Sequence, residues 1–152
     1  MSLIEYRGYD FENKKWIYSK TIMWSNAVDC LLMLKEDFKW QKVCNVGICS
    51  EEWAANNQEI FEGDILKENY NPRNRSSYGI VKRDFNSIKL YLEWHYLKKL
   101  EGEWIELINK TEIYHSRDYK VIGNEYENLE EVRTEFLERK EKLENENTNA
   151  VN

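Results

Sequence analysis

Two carboxylates lie two positions apart in the segment EIFEGDIL, which covers residues 59–66. Glu62 and Asp64 flank Gly63, and alternate residues of an extended chain point to one face. Two hard oxygen ligands on one face suit Mg²⁺ or Ca²⁺. The same residues are typical of a tight turn, because glycine reaches positive φ and aspartate accepts hydrogen bonds from nearby amides. No third carboxylate follows at a recognisable spacing, so we favour the turn and expect no metal site.

The other metal-ligating or nucleophilic side chains are scattered along the chain. They are Cys30, Cys44, Cys49, His95 and His115. A structural zinc site needs four ligands, usually in pairs at short spacing, and this set lacks such pairs. His95 could act as a base beside Glu93, but an ordinary surface histidine is the favoured interpretation. Nucleophile and phosphate-binding motifs are absent, so we predict no catalytic residue, no cofactor and no enzyme.

A third candidate site combines basic and aromatic side chains in residues 70–83, where single-stranded nucleic acid could bind. Its possible contacts are Arg73, Arg75, Lys82, Arg83 and Tyr78. The net charge of −6 opposes binding to phosphates. We therefore favour a solvated loop and strand end here, and keep nucleic-acid binding as the alternative.

The elements that must position these residues are mostly strands. SIKLYLEWHYL, residues 87–97, alternates with period two, and KKLEGEW turns at Gly102 through a predicted loop of three to five residues. SNAVDCLLMLKEDF, residues 25–38, has helical apolar spacing. We predict an α+β, mainly β fold. It is a small bent antiparallel sheet or SH3-like partly open barrel, with an inserted short helix and a C-terminal amphipathic helix.

The C-terminal part of the chain changes in character. We predict a β-rich domain over residues 1–128, an amphipathic helix over 129–143 and a disordered tail over 144–152. The apolar stripe of the helix could dock on its own barrel or form an oligomer contact. It consists of Leu129, Val132, Phe136 and Leu143. No run of 18 apolar residues and no signal peptide are seen, so we expect a cytoplasmic protein with no membrane partner.

Three stretches together resemble the YopX family of bacteriophage and prophage proteins. They are YRGYDFENKKWIY, NNQEIFEGDIL and YKVIGNEYENLEEV. VGICSEEWAANNQE departs from the family, because it lacks the glycines usual before the acidic motif. The resemblance implies a phage-encoded protein with a small β-barrel-like core that can form oligomers, and it carries no established activity. Glu62, Gly63, Asp64, Gly123 and Asn124 match the family motifs, with turn geometry and backbone capping as their implied roles.

These observations favour a non-enzymatic phage accessory protein in the cytoplasm of a bacterial host. Six tryptophans and ten tyrosines suit interface cores, so we expect protein–protein contacts in a homo-oligomer or with an unknown phage or host protein. A small barrel that binds nucleic acid through residues 70–83 is the alternative. A metal-dependent enzyme that uses Glu62 and Asp64 is the third possibility.

Overall fold

The computed structural model describes residues 4–24, 31–34, 37–69, 76–84, 88–113 and 116–151. The protein is mainly β, with two antiparallel sheets, one of them curled into a half-barrel, and a C-terminal helix. The chain divides into two compact units, residues 1–52 and 53–152. The mainly β class and the bent antiparallel sheet are therefore confirmed.

In the described residues of the first unit, five strands pair in the order β2-β1-β5-β4-β3. They are β1 (Tyr6–Asp10), β2 (Lys15–Ser19), β3 (Ile22–Trp24), β4 (Leu31–Leu34) and β5 (Trp40–Trp53). Buried Asp10 closes the turn after β1, because its Oδ1 accepts hydrogen bonds from the backbone amides of Glu12 and Asn13. The turn's positive φ, 52°, falls on Lys14.

The inserted helix predicted over residues 25–38 is wrong at Leu31–Leu34, which form strand β4. This strand pairs antiparallel with both β3 and β5, so that Leu31 lies opposite Trp24 and Val43. A short continuous apolar run fits a buried strand as well as a helix, and here the pairing with neighbouring strands decides. Residues 25–30 and 35–36, including Cys30, lie outside the described residues.

The second unit contains a five-stranded antiparallel sheet in the order β10-β9-β8-β7-β11. The elements after β5 are β6 (Glu59–Phe61), β7 (Asp64–Glu68), β8 (Tyr78–Arg83), β9 (Leu90–Leu100), β10 (Glu103–Thr111), β11 (Tyr119–Asn124) and α1 (Leu129–Val151). The β9–β10 loop has two residues, Glu101 and Gly102, with φ of 50° and 84°. Positive φ at both positions matches the twist of the strands in a type I′ turn, which makes the loop shorter than predicted.

Apolar side chains cover both faces of this sheet. On one face the cluster comprises Ile65, Tyr78, Ile80, Val132 and Phe136. On the other face it comprises Ala54, Ile60, Leu66, Val81 and Leu92. Period-two alternation along β8 places Tyr78 and Ile80 in the first cluster and Val81 in the second.

The helix α1 packs on the sheet of its own unit. Val132 and Phe136 are buried there, so the oligomer contact predicted for these two residues is wrong. Leu129 packs beside them and is half-buried. Leu143, further along the helix, is half-buried. Within the described ranges, no helix is long and apolar enough to cross a membrane.

The same helix continues to Val151, through the segment predicted as a disordered tail. Residues 129–151 contain neither glycine nor proline, and Glu and Lys have high helix propensity. Lys140 and Glu144 also form an ion pair one turn apart, with 3.7 Å between Nζ and Oε1. Residues 144–151 are therefore helical, and the prediction of a disordered tail is wrong for them.

Candidate functional site

The acidic motif at residues 62–64 forms the turn between β6 and β7. Gly63 has φ of 92°, and its amide donates to the carbonyl of Val81 at 2.8 Å while its carbonyl accepts from the amide of Glu125 at 2.7 Å. Asp64 is 2% exposed, and its Oδ2 accepts a hydrogen bond from the amide of Phe61 at 2.8 Å. The motif therefore joins three segments of the second unit through backbone hydrogen bonds.

The two carboxylates of this turn have different partners. Glu62 Oε1 lies 3.4 Å from Nε of Arg83, whereas Asp64 bonds inside the turn. Two carboxylates that each satisfy a protein donor have less capacity for a shared cation. The geometry agrees with the turn interpretation of the motif.

Gly123 and Asn124 cap the backbone between β11 and α1. The Asn124 side chain accepts hydrogen bonds through Oδ1 from the amides of Tyr126 and Glu127, both at 3.0 Å. The Asn128 side chain returns a bond, because its Oδ1 accepts from the Asn124 amide at 3.1 Å. A Cβ on Gly123 would lie 2.3 Å from that same Oδ1, so the cap requires glycine at this position.

The two motifs are neighbours in the fold. Strands β7 and β11 pair antiparallel with Asp64 opposite Asn124. The turn before β7 and the cap after β11 therefore lie at one end of the same strand pair. Together they set where the chain leaves the sheet and where α1 begins.

The described part of the basic segment does not form one basic surface. Lys82 Nζ lies 2.6 Å from Glu125 Oε2, and Arg83 pairs with Glu62. Adjacent residues of a strand point to opposite faces, so Lys82 and Arg83 diverge. Tyr78 is fully buried, so its prediction as a nucleic-acid contact is wrong. Arg73 and Arg75 lie outside the described residues.

A concave pocket of about 560 Å³ lies between the sheet of the second unit and the start of α1. Its walls come from β8, β9, β10, the segment between β11 and α1, and the first two turns of the helix. The lining residues are Tyr78, Ile80, Lys82, Glu93, His95, Glu106, Ile108, Glu125, Leu129 and Arg133. Six of these ten side chains are charged or titratable at neutral pH, so the electrostatics of the pocket decide what it can do.

His95 lies at the centre of these polar groups, and it is 7% exposed. Its Nε2 is 2.9 Å from Glu93 Oε1 and its Nδ1 is 3.1 Å from Glu106 Oε1. The ring also stacks on Tyr78, with centroids 4.7 Å apart and planes 6° apart. Ionised carboxylates only accept, so both hydrogen bonds form together when both ring nitrogens carry hydrogen. The expectation of a surface histidine is therefore wrong.

Arg133 connects the helix to this cluster. Its Nη1 and Nη2 donate to the two carboxylate oxygens of Glu106 at 2.5 and 3.2 Å, and Nη1 also lies 3.0 Å from the Tyr78 hydroxyl. The bond from Arg133 lowers the pKa of Glu106, and the same bond raises the pKa of Arg133. Burial raises the pKa of Tyr78. The three groups bind α1 to the sheet at one point.

Each carboxylate of the pocket faces a basic group. Glu106 faces Arg133, and Glu93 faces His95. Glu125 pairs with Lys82 in the same way. A pocket whose charged side chains are paired with one another suits a structural role, in which these side chains hold α1 on the sheet. A substrate would have to displace a protein partner to reach any of these charged groups.

The sequence contained part of the signal for this cluster. Glu93 and His95 are two positions apart on one strand, so they share a face. Glu106 joins them through the pairing of β9 and β10, which places Ile108 opposite His95, with Glu106 two residues before Ile108 on the same face. That register depends on the length of the loop at Gly102. Arg133 comes from an element remote in sequence, and no local pattern indicates its place.

The fold and the pocket define a mainly β protein whose C-terminal helix is fastened to its sheet by a polar cluster. Compared with known proteins, the chain matches no family model and no curated sequence.

Proposed function

We propose that this chain is a non-enzymatic phage or prophage accessory protein that acts through protein–protein contacts as a homo-oligomer. The observation that carries the proposal is the exposed edge of the five-stranded sheet. Strand β10 ends the strand order, and it carries Ile105 at 37% and Ile108 at 57% exposure. An open edge with apolar side chains is a template for pairing with another chain.

The phage assignment rests on the resemblance to the YopX family in the three quoted stretches. Two of them contain the turn at Gly63 and the cap at Asn124, whose hydrogen bonds organise the second unit. A curled half-barrel sheet is also compatible with an SH3-like core, which forms part of the proposal. We place the protein in the cytoplasm of the bacterial host, where an unknown phage or host protein is a further partner.

The non-enzymatic part of the proposal is supported by the pairing of charges in the pocket. Glu106 accepts two hydrogen bonds from Arg133, and its Oε1 also lies 3.1 Å from Nδ1 of His95. A general base needs a free lone pair directed at its substrate. The carboxylate of Glu106 instead stabilises the contact between α1 and the sheet.

Light scattering after gel filtration, over a dilution series, tests the proposal. The monomer mass is 18.5 kDa, and a homo-oligomer will elute with a multiple of this mass that falls on dilution. A mass of one chain at every concentration contradicts the proposal.

Nucleic-acid binding is examined in parallel, since it is the alternative function. Titration with single-stranded and double-stranded DNA and RNA at low salt will give no binding if the protein acts through protein contacts alone. Salt-dependent binding that weakens when Lys82 and Arg83 become Ala supports the alternative.

A further inference from the structure

The backbone of β10 presents a defined set of groups to the open edge. In a two-residue hairpin the residues that flank the turn, here Leu100 and Glu103, form a hydrogen-bonded pair. Such pairs alternate along an antiparallel ladder. The odd-numbered residues of β10 therefore bond to β9, and the even-numbered residues direct their N–H and C=O groups outwards.

No strand pairs with this outward edge in the part of the chain that the structure describes. The even-numbered residues also share one face, where Ile108 lies opposite His95 beside the pocket. Ile108 is the most exposed of the large apolar side chains on β10. Glu106 and Lys110 flank it at equal distances along the strand, with opposite charges.

We propose that β10 pairs antiparallel with β10 of a second copy of this chain, about a two-fold axis at Ile108. This inference rests on the proposed homo-oligomer and names its interface. The axis is perpendicular to the sheet that the two copies form together. Side chains on one face of the first copy therefore lie on the same face in the second copy. Residues opposite one another then have numbers of the same parity.

Three registers place the two-fold axis near the middle of β10, at Glu106, Leu107 or Ile108, and charge favours the one at Ile108. An axis at Glu106 places two glutamates opposite each other, and like charges directly opposite destabilise a strand pair. An axis at Leu107 places Glu106 opposite Ile108. An axis at Ile108 places Glu106 opposite Lys110 on both sides and Ile108 against its own copy.

The two charged residues already have partners within their own chain. Glu106 is fixed by Arg133 and His95, which lie on the inner side of β10. Lys110 contacts Asp84, and its Nζ lies 4.3 Å from the ring centroid of Tyr91. The Lys110 side chain is 61% exposed, so a second copy can reach it.

Cysteine cross-linking tests the register directly. The background chain has Cys30, Cys44 and Cys49 replaced by serine, and Ile108→Cys is added. Opposite residues of a hydrogen-bonded pair have Cα atoms about 5.5 Å apart, which suits a disulfide. Mild oxidation will therefore convert most of the Ile108→Cys chain into a covalent dimer.

Ile105→Cys is the matched control on the same strand. In the proposed register Ile105 lies opposite Thr111 of the second copy. The two introduced cysteines are then six positions apart along the strand, about 20 Å at the usual rise per residue. This variant will stay monomeric on a non-reducing gel.

Ile108→Lys provides a second measurement without oxidation. Two lysines on the two-fold axis repel, so the mass from light scattering will fall to 18.5 kDa, whereas Ile105→Lys will retain the oligomer mass. Circular dichroism checks that each variant is folded. If Ile108→Lys does not fold, the disulfide result decides.

The outcomes separate this inference from the proposed function. A covalent dimer from Ile108→Cys and none from Ile105→Cys supports the interface. An oligomer with no Ile108 cross-link, or with equal cross-linking of both variants, overturns the interface and leaves the proposed function standing. A monomer at all concentrations overturns both.

Discussion

Asp64 is the residue at which the turn and metal-site interpretations give opposite expectations. It is buried and its carboxylate accepts the Phe61 amide. Asp64→Ala will lower the free energy of unfolding by about 1–3 kcal/mol, because the amide is left unsatisfied in the interior. Glu62→Ala will cost about 0–1 kcal/mol, since its ion pair with Arg83 is partly exposed. Urea denaturation measures both.

Divalent ions supply the control for that comparison. Millimolar Mg²⁺ or Ca²⁺ will leave the melting temperature of the natural chain unchanged, because a ligand stabilises a protein only by binding its folded form. A rise in melting temperature that disappears in both the Asp64 and Glu62 variants would return the motif to the metal-site interpretation.

Gly123 and Asn128 should be coupled, because a side chain on the first collides with the second. Gly123→Ala will destabilise the protein by about 1–3 kcal/mol, the usual range for inserting a methyl group where no space exists. Its Cβ would be 2.3 Å from Asn128 Oδ1. In an Asn128→Gly chain, which lacks both the Oδ1 and the Cβ of Asn128 that would collide with the new methyl group, the same substitution will cost much less. A double-mutant cycle by urea denaturation measures the coupling, and additive effects would contradict the cap geometry.

At the scale of elements, a buried aromatic ring makes a large part of the contact between α1 and the sheet. Phe136 is fully buried and meets Tyr78 edge-on, with centroids 5.6 Å apart. Phe136→Ala will therefore lower the free energy of unfolding by about 3–5 kcal/mol. Leu137→Ala, one position on at 48% exposure, will cost less than about 1 kcal/mol. Equal losses in denaturation would show that the helix does not pack on this face.

The polar cluster adds a pH-dependent part to the docking of the same helix. The bond from Arg133 holds the pKa of Glu106 below its ordinary value of 4.5. The ionised form is thus favoured in the folded protein, and this stabilisation is present above pH 4.5 and lost as the pH falls through the lowered pKa.

Glu106→Gln tests this dependence when its free energy of unfolding is compared with that of the natural chain from pH 7 to pH 3. The natural chain will be more stable by about 1–2 kcal/mol at pH 7, after allowance for partial exposure. The difference will shrink below pH 4.5. Glu112→Gln, which removes an exposed ion pair with Lys89, will show little difference at any pH. A Glu106→Gln difference that grows in acid would contradict the assignment.

The elements that follow from local patterns were predictable. Alternation indicated β9, glycine marked the turn at Gly102, and the apolar stripe located the start of α1 at Leu129. Residues 31–34 were not predictable in the same way, because LLML is apolar at every position and carries no period. Their state is decided by pairing with β3 and β5, which a single segment cannot show.

The pocket was predictable only in part. Glu93 and His95 share a face by spacing alone, but the place of Glu106 depends on the β9–β10 register and that of Arg133 on the packing of α1.

Tyr78 illustrates the opposite error. Its place among basic residues suggested a nucleic-acid contact, whereas burial on both the sheet and helix sides makes it a core residue. Composition indicates which side chains are present, and only the fold decides which are covered.

At the scale of the whole molecule, the two ends of α1 contribute differently to stability. The first part buries Val132 and Phe136 against Ile65 and Ile80. A chain that ends before Leu129 exposes this cluster, so it will lose cooperative unfolding in urea and will aggregate. The oligomer mass of such a chain therefore cannot report on the interface.

A chain that ends after Glu146 separates the contribution of α1 to stability from any contribution of its end to the contact between copies. It keeps the buried part of α1 and the whole of β10, where we place the contact between copies. Its free energy of unfolding will match the natural chain to within about 0.5 kcal/mol, as for surface changes in general, and light scattering will give the same subunit number. A fall to one chain with unchanged stability would place the contact on the end of the helix, and the β10 interface would then be wrong.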